Sequence, residues 1–419
     1  MLHFVKRIII SALSAIVVAL PIQASEQDAV SISENIQALH TPYDTLLDPV
    51  FASSDPASAE YTHLVNYTRA GDSAIWTGHY LAAEAFRYQM TRSPEALENA
   101  LQALHGITSL LDITGTDLLA RCLVPANSPY ANAIRAEEAG HGIYDTTFDG
   151  QPYFWTGDTS RDQYSGVFFG LSAAYDLIDN TDARSQIQTD VSRMLDFLLR
   201  NNWNVRMPDG TISATFLGRP EQQLSFLQVG RHVNPAKYDL IYRMYRALLA
   251  AAVRLPIQAD CADDHDNYFK FNLDYINLYN LIRLEYDSFH YRRVYLNAYS
   301  ILRNTTQSHG NAHFNMIDRA LQGANSSRDE ETSELLELWL KRSRRDYYVD
   351  LRGIYPACGT EKACSPIPVD QRVNTDFLWQ RSPFLLYGGG DGTIETAAID
   401  YILPYWMARY YGVAAETSL

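Results

Sequence analysis

Positive charge is scarce in this chain: 34 Lys and Arg face 49 Asp and Glu, a formal net charge of −15 at pH 7 over 419 residues. Nucleic acid and anionic lipid both demand a basic surface, so neither fits as a partner. An anionic glycan stays open, because a local arginine cluster can hold one inside a globally acidic protein. Long apolar runs are also missing. Beyond the N-terminus nothing approaches the roughly 20 apolar residues that span a bilayer, so the mature form is expected to carry no membrane segment. No Gly/Ser-rich, Pro-rich or charged linker divides the chain, which reads as one domain. There is no G-x-S-x-G elbow, no dinucleotide-binding glycine fingerprint and no H-E-x-x-H. Those absences remove the serine-hydrolase, nicotinamide and metalloprotease classes. Gly388-Gly389-Gly390-Asp391-Gly392 lacks a following Lys-Ser/Thr and is a turn rather than a phosphate loop. Nothing in the sequence asks for a cofactor, and nothing sets the oligomeric state.

Cysteine is sparse too, with four in all: Cys122, Cys261, Cys358 and Cys364. An even number in an exported chain reads first as disulfides. Cys358 and Cys364 would close a short loop, leaving Cys122 and Cys261 to join distant segments; three connectivities are open. No pair has C-x₂₋₄-C spacing, so zinc is the weaker reading and no metal is expected. Export follows from Met1 to Ala24, where Lys6 and Arg7 precede the apolar run Ile8 to Ile22 and small Ala24 stands before Ser25. This is the pattern of a cleaved secretory signal and implies a periplasmic or extracellular protein.

What the chain does have is helical periodicity. It recurs over 59–69, 75–90, 94–113, 161–177, 183–201, 235–254, 269–284, 290–304, 311–321, 330–342 and 395–411, enough for five or six hairpins. Strand signals are confined to short stretches such as 204–207, and long loops cover 123–154 and 350–391. Segments 75–90 and 269–284 are apolar or aromatic nearly all round, as inner helices must be; 94–113 and 330–342 are apolar on one face, as outer helices should be. That alternation predicts an all-α fold, an (α/α) toroid of about six hairpins with long loops on one face. An open solenoid is the competing architecture. The expected layout is a signal at 1–24, an N-terminal extension at 25–58 and the toroid at 59–419.

Trp76-Thr77-Gly78 and Trp155-Thr156-Gly157 repeat one tripeptide ahead of helical stretches. The second runs on as Asp158-Thr159-Ser160-Arg161-Asp162-Gln163-Tyr164. A capping box explains part of this, since Ser160 with Gln163, or Thr159 with Asp162, has the required spacing. Arg161, Tyr164 and Trp155 are left over, more groups than a cap uses. The first repeat adds Asp72 and His79. Asp158, Asp162, Asp72, His79 and Tyr164 are therefore the candidate catalytic residues. Trp76, Trp155, Arg161, Asn272, Tyr275, His309, His313, Trp379 and Arg381 are the candidate substrate contacts, because polar aromatic faces and arginines suit sugars.

With the repeats, residues 157–164 and 400–412 in view, the chain resembles a group of secreted bacterial proteins of the six-hairpin, glycosidase-like (α/α) toroid class over residues 60–412. The resemblance implies a central pocket and a carbohydrate substrate. It leaves three readings: a glycoside hydrolase with paired carboxylates, a polysaccharide lyase with a Tyr or His base and an arginine neutralising a uronate, or a non-catalytic glycan-binding or envelope protein.

Overall fold

The computed structural model describes residues 24–265, 267–358 and 364–414; the signal expected at 1–24 falls almost wholly outside them. Its helices run in chain order as α1 (Glu26–Leu39), α2 (Ser73–Thr91), α3 (Pro94–Asp112), α4 (Ala131–Glu137), α5 (Arg161–Leu177), α6 (Thr181–Arg200), α7 (Pro220–Val233), α8 (Pro235–Leu249), α9 (Arg254–Asp260), α10 (Tyr268–Arg283), α11 (Phe289–Thr306), α12 (Ala312–Gln322), α13 (Ser326–Trp339) and α14 (Ile399–Tyr410). Six of them form an inner ring. α2 packs on α5, α5 on α7, α7 on α10, α10 on α12, α12 on α14, and α14 returns to α2. The ring is closed, so the toroid is observed and the open solenoid is not. α3, α6, α8, α11 and α13 each pack outside the inner helix they follow, and α1 lies against α14.

Burial explains the sorting. Every residue of α2 from Ser73 to Arg87 and of α14 from Ile399 to Arg409 is buried, whereas α8 buries only Tyr238, Tyr242 and Arg246. An inner helix has neighbours on all sides and must be apolar, small or internally bonded all round. The inner-to-outer turns are brief, as at Arg92-Ser93 between α2 and α3. The outer-to-inner connections are longer, except that from α11 to α12 (307–311), which only matches the turn from α10 to α11 (284–288). All inner helices therefore run the same way, and the long connections gather at the end where they begin.

Those connections carry the small sheets. β1 (Asp48–Phe51) pairs with β2 (Leu64–Thr68); β3 (Cys122–Pro125), β4 (Ile143–Phe148) and β5 (Gln151–Thr156) form a sheet in the order β3-β5-β4; β6 (Asn204–Arg206) pairs with β7 (Ile212–Thr215) and β8 (Val349–Asp350) with β9 (Tyr387–Gly388). The 59–69 stretch, expected as a helix, supplies β2 instead; its apolar residues answer a strand partner. Residues 25–58, expected as an extension, include α1, whose Glu26 accepts a hydrogen bond from Arg409 at 2.5 Å. Cys358 and Cys364 form a disulfide, while Cys122 and Cys261 are free. The expected second bridge is absent because the thiol of Cys122, in β3, is buried against Thr156 Oγ1 at 3.3 Å, whereas Cys261 caps the end of α9, which packs among α7, α10 and α11.

The tightest contact in the ring joins α2 and α5. A Cβ on Gly78 would lie 2.2 Å from the Gly166 carbonyl oxygen, and one on Gly170 would lie 2.2 Å from that of Gly78. Neither obstacle is a side chain that can swing away. Gly170→Ala is expected to cost about 2 kcal/mol or more, read as a lower urea midpoint; an unchanged midpoint would show that the helices can part freely.

Candidate functional site

Arg121 organises the mouth of the ring. It donates to the carbonyl of Gly71 at 2.7 Å, to that of Asp158 at 2.9 Å and to Ser160 Oγ at 2.9 Å, tying the segments that lead into α2 and α5. Asp72 Oδ1 stands 3.7 Å from the same guanidinium and accepts Gln163 Nε2 at 3.1 Å. Gln163 also takes the Ile75 amide at 2.9 Å, so one side chain bridges both helices. The Ser160 hydroxyl donates to Asp162. No side-chain cap closes α5: Thr159 donates instead to the Leu119 carbonyl at 2.6 Å. The residues that looked like a capping box are spent on joining the two helix entrances.

Asp72 and Asp162 therefore come together at the mouth. Burial, reinforced by the Asp162 charge, raises the Asp72 carboxyl above the ordinary value, although Arg121 and Gln163 pull the other way. A third acid joins them from the 340–398 connection. Asp376 is pushed up to about 7, chiefly by burial, against the pull of Arg69 and Arg381; Arg381 stands 3.5 Å away. A cavity of about 490 Å³ opens beside Asp162, walled by Ser160 and Arg161, by Ser213 to Thr215 of β7 and by Phe269 and Leu273 of α10.

Below the mouth lies a sealed polar cluster on the ring axis. Trp379 stacks on His79 with centroids 5.3 Å apart and meets His313 at 4.8 Å, and Trp76 packs on Phe377 at 4.8 Å. His79 Nδ1 donates to the Ile75 carbonyl at 2.9 Å and its Nε2 accepts Asn272 Nδ2 at 3.3 Å. Burial lowers its imidazole to about 4, so it is neutral. His79 is thus not at the rim beside Asp72 but about two helical turns beneath it. Among the described residues Asn272 Oδ1, Trp379 Nε1 and both ring nitrogens of His313 have no hydrogen-bond partner, and burial holds His313 far below its ordinary value.

The other candidates are dispersed. Asp158 is exposed with a φ of 47°. Trp155 stacks on Tyr144 at 4.3 Å within the sheet. Tyr164 is in the core, its hydroxyl accepting the Leu119 amide at 3.3 Å. Tyr275 stacks on Phe314 at 4.1 Å and bonds Thr306. His309 bonds the Tyr268 hydroxyl at 2.6 Å. Among the described residues no three His, Cys, Asp or Glu are grouped to hold a metal. Sequence reasoning missed Arg121, Gln163 and Asp376. The last lay within a stretch already singled out for Trp379 and Arg381, while nothing local marks Arg121.

No protein-family model matches the chain, and no curated protein sequence matches it. Among solved structures, a cellobiose 2-epimerase from Spirochaeta thermophila DSM 6192 is similar at a TM-score of 0.45 and 9% identity, over 92% of this chain and 97% of that one.

The raised Asp376 carboxyl has a stability consequence. A folded-state value of about 7, above the 3.8 of a free carboxyl, means that the native state keeps a proton that the unfolded chain has released. Stability then falls as pH climbs between those values. Asp376→Asn is expected to raise the thermal midpoint at pH 8, by about 2 °C or more, and to leave it unchanged at pH 3. Equal shifts at both pH values would refute a raised carboxyl.

Proposed function

We propose that the chain is an exported carbohydrate-active enzyme, a glycoside hydrolase acting through Asp72 and Asp162. The observation that carries this reading is the pairing itself. Two carboxyl groups enter one mouth from the starts of adjacent inner helices, held by Gln163 and Ser160, and one of them is biased towards its protonated form by burial and by the other. Glycosidic cleavage needs that asymmetry: an acid to protonate the leaving oxygen and a carboxylate to activate water or attack the anomeric carbon. Asp72 is assigned the acid and Asp162 the carboxylate. Arg161 and Phe269 flank the 490 Å³ cavity with the charged and aromatic surfaces that hold a sugar. The Cys358–Cys364 disulfide supports an oxidising compartment, in line with the signal-like N-terminus.

The lyase alternative lacks an open base, since Tyr164 and His313 are 0% and 1% exposed. The test is incubation of the purified protein with neutral and uronate-containing polysaccharides, following reducing ends and unsaturated-uronate absorbance. Reducing ends alone are expected, with turnover falling at least about 100-fold in Asp162→Asn and in Asp72→Asn. The alkaline limb of kcat/KM should lie above the ordinary carboxylate range and vanish with Asp72. Unsaturated products would establish the lyase; wild-type turnover by Asp162→Asn would move the chemistry elsewhere.

A further inference from the structure

A second cavity, of about 390 Å³, lies in the 340–398 connection, between the segment after α13 and residues 370–374. Its floor holds two buried arginines with incomplete pairing. Among the described residues Arg372 donates only to backbone carbonyls, those of Ile367 at 2.7 Å, Gly310 at 2.9 Å and His309 at 2.9 Å. Among the described residues it meets no carboxylate, and burial depresses it to about 10. Arg342 donates to the Val373 carbonyl at 2.8 Å and stands 3.6 Å from Asp400, while its Nε has no partner among the described residues. Guanidinium groups buried this way are costly unless an anion completes them. The same lining also offers unpaired acceptors. Asn374 spends its amide on the carbonyls of Ser343 at 2.8 Å and Arg345 at 3.0 Å; among the described residues its Oδ1 has no donor, and neither has Asp370 Oδ1. Ile354, 64% exposed, supplies an apolar rim.

Arginine forks for a carboxylate, unpaired oxygens for hydroxyl donors and an apolar rim for a C–H face are together the complement of one chemical class. We infer that this cavity binds a uronate unit of an acidic glycan, two residues along the chain from Asp376 at the ring mouth. The assignment rests on the carbohydrate reading above and narrows its substrate class to carboxylated polysaccharides. It also accounts for arginines gathered in one place in an acidic chain.

The test is calorimetric titration of the full chain with D-galacturonate and D-glucuronate, beside D-galactose and inorganic sulfate. One uronate per chain is expected, with galactose and sulfate at least tenfold weaker. Arg342→Lys, which keeps the charge and loses the fork, should weaken uronate at least tenfold. Should that variant misfold, Ile354→Trp keeps the question open to test: it alters an exposed rim residue, blocks the cavity and should weaken uronate as strongly. Asp162→Asn should bind uronate normally while losing turnover, so uronate binding without hydrolysis would sink the hydrolase reading alone. Equal binding of galactose, a preference for sulfate, no uronate binding, or full affinity in Ile354→Trp would each overturn the inference.

Discussion

The backbone-to-backbone contact of α2 with α5 is the constraint on which the mouth depends. Gly78 meets Gly166 and Gly170 with no room for a Cβ on either side. At that separation the starts of the two helices stand close enough for one glutamine to reach the Ile75 amide and the Asp72 carboxylate together. Thr77 and Ser165 turn their hydroxyls back onto Ser73 and Arg161, at 2.7 and 2.9 Å, so neither needs a partner in the interface. The catalytic proposal is thus a consequence of packing. Two acids far apart in sequence share an environment because three glycines let two helices touch.

Closing the ring has a second cost, which falls on its polar interior. α7 is buried from Pro220 to Arg231 although it carries Glu221, Gln222, Gln223, Ser225 and Gln228. Arg219, just ahead of it, holds Glu221, Asp260 and Asp274 at 2.6, 2.7 and 3.1 Å. Burial lifts the Asp274 carboxyl well above its ordinary value, and Glu221 is raised to about 7. Charges so arranged fix the geometry around Arg219 more than they add stability, because each ion gives up its water. They also explain why α7 escaped a reading based on apolar periodicity: a helix bonded through polar side chains on several faces shows no stripe.

The Trp-Thr-Gly repeat illustrates how local likeness misleads. Trp76-Thr77-Gly78 sits in the first turns of α2, but Trp155-Thr156-Gly157 ends β5. The residues that match in space lie 88 apart, as the Ile75–Gln163 bond records, and pair Trp76-Thr77-Gly78 with Tyr164-Ser165-Gly166. The tripeptide identified the right two helices and the wrong register. His79 lies on the ring axis, stacked beneath Trp379, and not at the rim.

The sequence by itself determined the class of fold, most helix positions and the inner or outer place of α2, α3, α10 and α13, because side-chain periodicity and all-round apolarity are local properties that survive any arrangement of neighbours. The crowding of functional groups ahead of two helices also put Asp72 and Asp162 among five catalytic candidates, without separating them from Asp158, His79 and Tyr164. Only the tertiary structure decided that the ring closes with α1 outside α14, that Cys122 and Cys261 lie on different sides, and that Tyr164 and Tyr275 are core. It alone brought Arg121, Gln163 and Asp376 to the acids. These are matters of long-range distance, set by how closely helices pack, and no window along the chain contains them.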